Sequence, residues 1–145
     1  MSSQPESPQL GLLLRQVHQH WTQQVDLALS NAGFDDIRPS HSSVFAFTPP
    51  EGITVSALTK FAQVRKQSMS QAVAELEKLG YVERRPDPTD RRARRVFLTA
   101  KGEGVRPVAL AAGSEVQKEW ANAVGNEDIR QLTQLLQKLA STLQG

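Results

Sequence analysis

Gln67, Ser68, Ser70 and Gln71 form a short run of amide and hydroxyl side chains, with Arg65 and Lys66 directly before it. A glutamine amide donates and accepts at once and pairs bidentately with adenine, a serine hydroxyl serves either kind of base, and Ala74, one turn on, offers a methyl contact to thymine. Arg65 and Lys66 stand at or just before a helix start, where cationic side chains and free backbone N–H groups hold a phosphate. A second cluster, Asp90-Arg91-Arg92-Ala93-Arg94-Arg95, packs four arginines into five residues. They repel one another unless something anionic lies opposite. A carboxylate such as Asp90 holds a neighbouring guanidinium in one orientation, which suits an arginine entering a narrow minor groove. The chemistry on offer is recognition of double-stranded DNA. The same residues also fit a plain amphipathic helix with a polar exterior and a solvated run of charge.

The elements that must position them are legible from periodicity. Thr54 starts a helix as its cap, with Val55, Leu58, Phe61 and Ala62 at helical spacing on a face that needs a packing partner. After the short break Gln63-Val64-Arg65-Lys66, a second helix turns Met69, Val73 and Leu76 inward and stops at Gly80. Two short helices joined by a tight turn make a helix-turn-helix. Tyr81–Arg85 and Arg94–Leu98 then read as two strands, and Pro86-Asp87-Pro88-Thr89-Asp90 is dense in turn residues. The loop is too long for a two-residue hairpin and carries Arg91 and Arg92 at its far end.

Gly80-Tyr81-Val82-Glu83-Arg84, Asp87-Pro88-Thr89-Asp90-Arg91-Arg92 and Val96-Phe97-Leu98-Thr99-Ala100-Lys101-Gly102, in that order, resemble the signature of the multiple antibiotic resistance regulator (MarR) family of bacterial transcription factors. With the flanking helices, the resemblance runs from Leu10 to Leu143. It implies a mainly helical chain with a small β-hairpin wing, in which a winged helix-turn-helix lobe (38–98) is flanked by dimerisation helices (10–32 and 99–143) in a single domain. It implies that the second helix enters the major groove, so that Gln67, Ser68, Ser70 and Gln71 read bases, with Arg65, Lys66 and Arg84 on the phosphate backbone. Arg92 matches the arginine that enters the minor groove, Asp90 its orienting acid, and Arg91 and Arg94 flank it on the wing. Two positions depart from the family pattern. Thr59 stands where alanine is commoner. Glu75 is expected to face outward, where its carboxylate must avoid phosphate or accept from a cytosine amino group.

The charge distribution supports a localised reading module. Lys60 to Arg106 holds twelve Lys or Arg against six Asp or Glu, whereas the remainder holds five against nine, within a net charge of +2. A cationic module on an otherwise acidic chain is the footprint of local phosphate neutralisation. At 145 residues and 39% hydrophobic residues, the chain has one domain's length and a globular composition. It has no cysteine, which excludes disulfides and thiolate metal sites. The polar, proline-marked start, Met1 to Gln9, does not read as a signal peptide, and no stretch has the length of a membrane span, so a cytoplasmic location is expected.

The outer segments read as helices. Leu10, Leu14, Val17, Trp21, Val25 and Ala28 form one stripe, with Leu12, Leu13 and Leu29 outside it; Pro39 starts a short helix through Phe47. Beyond the wing, Thr99 caps a helix running toward Asn126, which Pro107 is expected to kink or delay. Ile129, Leu132, Leu136, Leu139 and Leu143 line a final helix. Such apolar surface exceeds what a reading module needs for its back and points to a homodimer, although packing within one chain would use the same residues. A two-fold dimer places its reading helices about one DNA turn apart on a pseudo-palindromic operator.

An enzyme is not expected. The chain has no phosphate-cradling glycine loop, nucleophile elbow or His-x-x-x-His pair, and His18 and His20 point to different sides of one helix. No cofactor or metal is expected. Family members commonly respond to small phenolic or anionic molecules, and Trp21, His41 and Phe45 are the candidate pocket residues here, since an aromatic beside a switchable donor suits such ligands. Trp21 and Phe45 also fit as ordinary core. The resulting expectation is a dimeric repressor relieved by a small molecule; the alternative is a winged helix used as a protein-interaction or architectural DNA-binding module.

Overall fold

The computed structural model describes residues 9–144. The reading of the first residues as free of a signal peptide therefore falls mostly outside the described part. Helix α1 spans Leu10–Asn31, a single 3₁₀ turn covers Pro39–His41, and α2 follows over Ser42–Phe47. Strand β1 is Ile53–Thr54, α3 Val55–Ala62, α4 Lys66–Lys78, β2 Val82–Pro86 and β3 Arg94–Leu98. Helices α5 (Ala100–Glu103), α6 (Val105–Val124) and α7 (Asn126–Gln144) complete the described chain. The chain divides into two compact units, residues 9–25 with 110–144 and residues Asp26–Ala109, and the divisions fall inside α1 and α6.

The Asp26–Ala109 unit is built on α4. Its inward residues Met69, Val73 and Leu76 are buried, as the spacing predicts, and with Ala72, also buried, they share a core with Leu58, Val44, Phe45, Tyr81 and Val96. Thr54 caps α3 as expected, its hydroxyl accepting from the Ala57 N–H at 3.2 Å. The α3 face differs from its sequence reading. Leu58 is buried, but Phe61 is 60% exposed and stacks on Phe47 with ring centroids 5.9 Å apart. Thr59, the departure from the family's alanine, bonds its hydroxyl back to the Val55 carbonyl at 2.8 Å and so satisfies itself within the helix.

The sheet has a strand that the periodicity did not show. The order is β1-β3-β2, all antiparallel, with Ile53 opposite Val96 and Arg84 opposite Val96 on the other side. Two residues carry no alternation signal, so β1 is defined only by its partner. At the end of α4, Gly80 takes φ +85, the left-handed conformation that closes a helix without a Cβ penalty. The Tyr81 hydroxyl, pushed above its ordinary pKa first by burial and then by its bond to Asp36, donates to that carboxylate.

After β3, Thr99 acts as a joint. Its hydroxyl donates to the Gly80 carbonyl at 2.6 Å and accepts from the Gly102 N–H at 3.2 Å, capping α5. Gly102 has no room for a side chain, since a Cβ would collide with the Tyr81 carbonyl oxygen. The expected long helix from Thr99 is in fact two. The chain breaks at Gly104, so Pro107 falls in the first turn of α6, where its missing N–H costs nothing, and no mid-helix kink at Pro107 is needed.

The other unit holds the outer part of α1, most of α6 and all of α7. Trp21 meets Trp120 edge-on at 5.7 Å and lies over Gly113, where a Cβ would come within 2.7 Å of the ring. Val116 and Ile129 are buried. Much of the remaining apolar surface is not. Leu10, Leu14 and Val17 on α1 and Leu132, Leu136, Leu139 and Leu143 on α7 are all at least 39% exposed.

Candidate nucleic-acid interface

The turn between α3 and α4 is made by Gln63, whose φ of 54 lies in the left-handed region, and it delivers Arg65 to the cap position of α4 with its side chain free of any capping bond. Arg65, Lys66, Gln67, Ser68 and Gln71 are exposed and Ser70 is half-buried, opposite the buried Met69-Val73-Leu76 face. The polar run identified in the sequence therefore lies on one accessible helix face.

Glu75 does not face outward as expected. Its Oε2 accepts from His41 Nε2 at 2.6 Å and its Oε1 accepts from Gln71 Nε2 at 3.3 Å. His41 is buried, and its Nδ1 accepts the Arg38 backbone N–H at 3.1 Å, so the ring proton sits on Nε2 and is donated to Glu75. The His41 bond holds the Glu75 carboxyl below its ordinary pKa, with Gln71 adding to it, so the carboxylate is ionised at neutral pH. Sequence reasoning missed this link because its partners are 34 residues apart.

The wing separates its arginines into two kinds. Asp87 is buried and accepts from the Thr89 hydroxyl at 2.7 Å, the Thr89 N–H at 2.8 Å and Arg95 Nε at 3.0 Å. Arg95 also donates to the Gly52 carbonyl at 3.0 Å, tying the wing to the loop before β1. One of the four clustered arginines is thus neutralised within the chain. Arg85 pairs with Glu83 and lies 4.4 Å from the centre of the Phe97 ring, and Arg84 Nε is 3.6 Å from Glu77 Oε2. Arg91, Arg92 and Arg94 are exposed, with no carboxylate at ion-pair distance among the described residues. Asp90 acts on the main chain, accepting the Arg92 N–H at 3.0 Å, while the Ala93 N–H bonds the Asp90 carbonyl at 3.1 Å. It fixes where Arg92 starts and leaves its guanidinium free.

Asp87 gives the wing an acid sensitivity of defined sign. The Thr89 hydroxyl, then its N–H, then Arg95 lower its pKa from 3.8 to about 2. A depressed carboxylate stabilises above its unfolded pKa, and that contribution is lost as pH falls through the folded value. The stability gap between the protein and Asp87→Asn is therefore expected to be constant above about pH 4 and to narrow from there toward pH 2. Melting temperatures of the two proteins across that range measure it; a gap independent of pH would show that Asp87 does not hold the wing.

The candidate ligand residues fall in different places. Trp21 lies in the terminal-helix unit and lines a cavity of about 390 Å³ with Leu14, His18, Trp120 and Leu136. His41 and Phe45 belong to the other unit, His41 bordering a cleft of about 440 Å³ with Arg38 and Lys78. Phe45 is core, edge-on to Tyr81 at 5.6 Å. His18 lines the cavity, and His20 Nδ1 accepts from Trp120 Nε1 at 3.0 Å. Among the described residues no three His, Asp or Glu side chains gather as a metal site, and no helix is long and apolar enough to cross a membrane.

A helix-turn-helix with an exposed amide and hydroxyl face, followed by a basic antiparallel wing, defines the chain as a winged-helix protein. A family model described as the MarR family matches residues 36–93. Transcriptional regulator HosA of Escherichia coli is 32% identical over 108 residues, covering 74% of this chain and 80% of that protein. Among solved structures, the reduced form of MarR from E. coli superposes with a TM-score of 0.76 at 25% identity, covering 93% of this chain and 98% of that one. CouR from Rhodococcus jostii RHA1, bound to p-coumaroyl-CoA, gives 0.73 at 26% identity, covering 95% and 96%. The chain belongs to the MarR family and is a transcriptional regulator of the winged-helix type.

Proposed function

We propose that the protein is a homodimeric repressor of a pseudo-palindromic operator, released from DNA by a small phenolic or anionic ligand. Gln67, Ser68, Ser70 and Gln71 read base edges in the major groove, Arg65 and Lys66 hold flanking phosphates, and Arg92 enters the minor groove from the wing with Arg91 and Arg94 beside it. The observation that carries this reading is the sorting of charge on the wing. Arg95 is consumed by Asp87, while Arg91, Arg92 and Arg94 at the tip are exposed, on the same unit as the exposed α4 face. Arg84, drawn toward Glu77, reaches a phosphate only by exchanging that partner.

The dimer is supported by the apolar surface left open on α1 and α7, larger than isolated exposed leucines. The ligand reading is supported by the p-coumaroyl-CoA held by CouR and by the Trp21 cavity, whose size fits a small aromatic molecule. Such a ligand weakens operator binding by its differential affinity for dimers with different separations of the reading helices.

Duplex binding measured across salt tests the reading. The affinity is expected to fall steeply with salt while a sequence preference persists. Gln71→Ala should then relax that preference by about 1–3 kcal/mol, the discrimination that one bidentate pair provides. Binding with no base preference in either protein would place the helix on the phosphate backbone alone.

A further inference from the structure

We propose that Glu75, anchored by buried His41, is a positioning residue that sets the orientation of the Gln71 amide and so determines which base Gln71 selects. The inference rests on the reading of α4 as the base-contacting helix and adds a specificity-determining residue to it.

A glutamine amide has two faces of opposite hydrogen-bonding sense, and turned over it presents donors where it had presented an acceptor. An ionised carboxylate accepts only. Glu75 Oε1 beside Gln71 Nε2 at 3.3 Å therefore admits the amino group and excludes the carbonyl oxygen. That leaves Gln71 with one free N–H and a free oxygen pointing outward, the donor-acceptor pair that matches adenine N7 and N6. Unheld, the amide is free to turn its amino group toward N7 and O6 of guanine, and the distinction between purines weakens.

Glu75 holds the amide because it is itself held. Its second oxygen takes the Nε2 proton of His41 at 2.6 Å, and His41, 1% exposed, is oriented by the Arg38 N–H at its Nδ1. The chain Arg38 backbone, His41, Glu75, Gln71 runs from a buried imidazole to an exposed amide, and each bond fixes the sense of the next. The bond to His41 also turns the negative charge of Glu75 inward, away from phosphate.

The test is a double-mutant cycle read by base preference. Gln71→Ala, Glu75→Ala and the double variant are compared with the parent by selection from a random duplex pool. Gln71→Ala identifies the base step that Gln71 reads. Glu75→Ala should lower the preference at that same step about five-fold or more, leave the salt slope unchanged, and add nothing in the Gln71→Ala background. Glu75→Gln has one acceptor oxygen, which the His41 N–H takes, so that its amino group faces Gln71 and favours the Gln71 carbonyl. It should lose or reverse the preference at that step with the salt slope unchanged, which separates positioning from a uniform gain in affinity. An additive effect of Glu75→Ala, or a preference that survives it while Gln71→Ala abolishes it, would overturn the proposal. A Gln71→Ala variant with unaltered preference would instead remove the base-reading role of this residue, and the proposal with it.

Discussion

Leu136→Glu is expected to yield a monomer whose affinity for a duplex carrying two half-sites is about 10²–10⁴-fold below that of the parent. Leu136 lies on α7 at 42% exposure, beside Leu132 and Leu139, which are similarly open, and it borders the Trp21 cavity. A single chain leaves these side chains in water together with Leu10, Leu14 and Val17. A second copy supplies the cover in the proposed dimer, and a buried glutamate without a partner defeats that cover. The loss in DNA binding follows from mass action. Each reading helix of a dimer binds its half-site at the effective concentration set by the other, and a monomer forfeits that gain with every DNA-facing side chain intact. Sedimentation velocity measures the first effect and fluorescence anisotropy the second, with circular dichroism to show that the helices persist. A parent protein that sediments as a monomer at micromolar concentration would remove the dimer and the inverted repeat together.

Replacing Arg91, Arg92 and Arg94 together by alanine should produce the other large change. Each phosphate neutralised contributes about 0.9 to the slope of log affinity against log salt, so the six arginines of a dimer account for up to roughly 5. Arg92→Ala alone should weaken binding most where the flanks are A/T-rich, since a narrow minor groove attracts a guanidinium most strongly. Arg85→Ala is the matched control. Its guanidinium is already committed to Glu83 and the Phe97 face, so its removal should leave the slope nearly unchanged. Equal slopes for the triple variant and the control would take the wing tip off the DNA. None of the three tip side chains has a described partner to lose, and the backbone bonds of Arg92 and Arg94 survive truncation, so melting temperatures should move little.

The contrast between Arg95 and Arg92 shows how far the sequence carries. Both belong to the same basic run, and composition gives no reason to treat them differently. The difference is made by Asp87, eight residues before Arg95 and brought beside it by the hairpin register that sets Arg85 opposite Arg95. The Asp87-Pro88-Thr89 spacing did hold a signal, because an aspartate two residues before a threonine closes a local turn, but it reads only as a turn until its third partner is known. The helices were more legible. Met69, Val73 and Leu76 recur at helical spacing and are buried, and Thr54 and Thr99 cap the helices that they precede. Those signals lie within one or two turns of chain. What was not legible depends on distant partners or on very short elements: β1, defined by Val96; the break at Gly104 that ends the four-residue α5; and the turning of Glu75 toward His41. Phe61 erred for a related reason, since periodicity marks an apolar face without saying whether the single chain covers it.

Selection of bound duplexes from a random pool by the purified protein at near-physiological salt probes sequence-specific, two-fold recognition most directly. The retained DNA is expected to carry an inverted repeat with half-site centres about 10 base pairs apart, as a two-fold dimer with one reading helix per half-site requires. Retained DNA without a shared motif would contradict it, leaving a basic module that binds the backbone without reading bases.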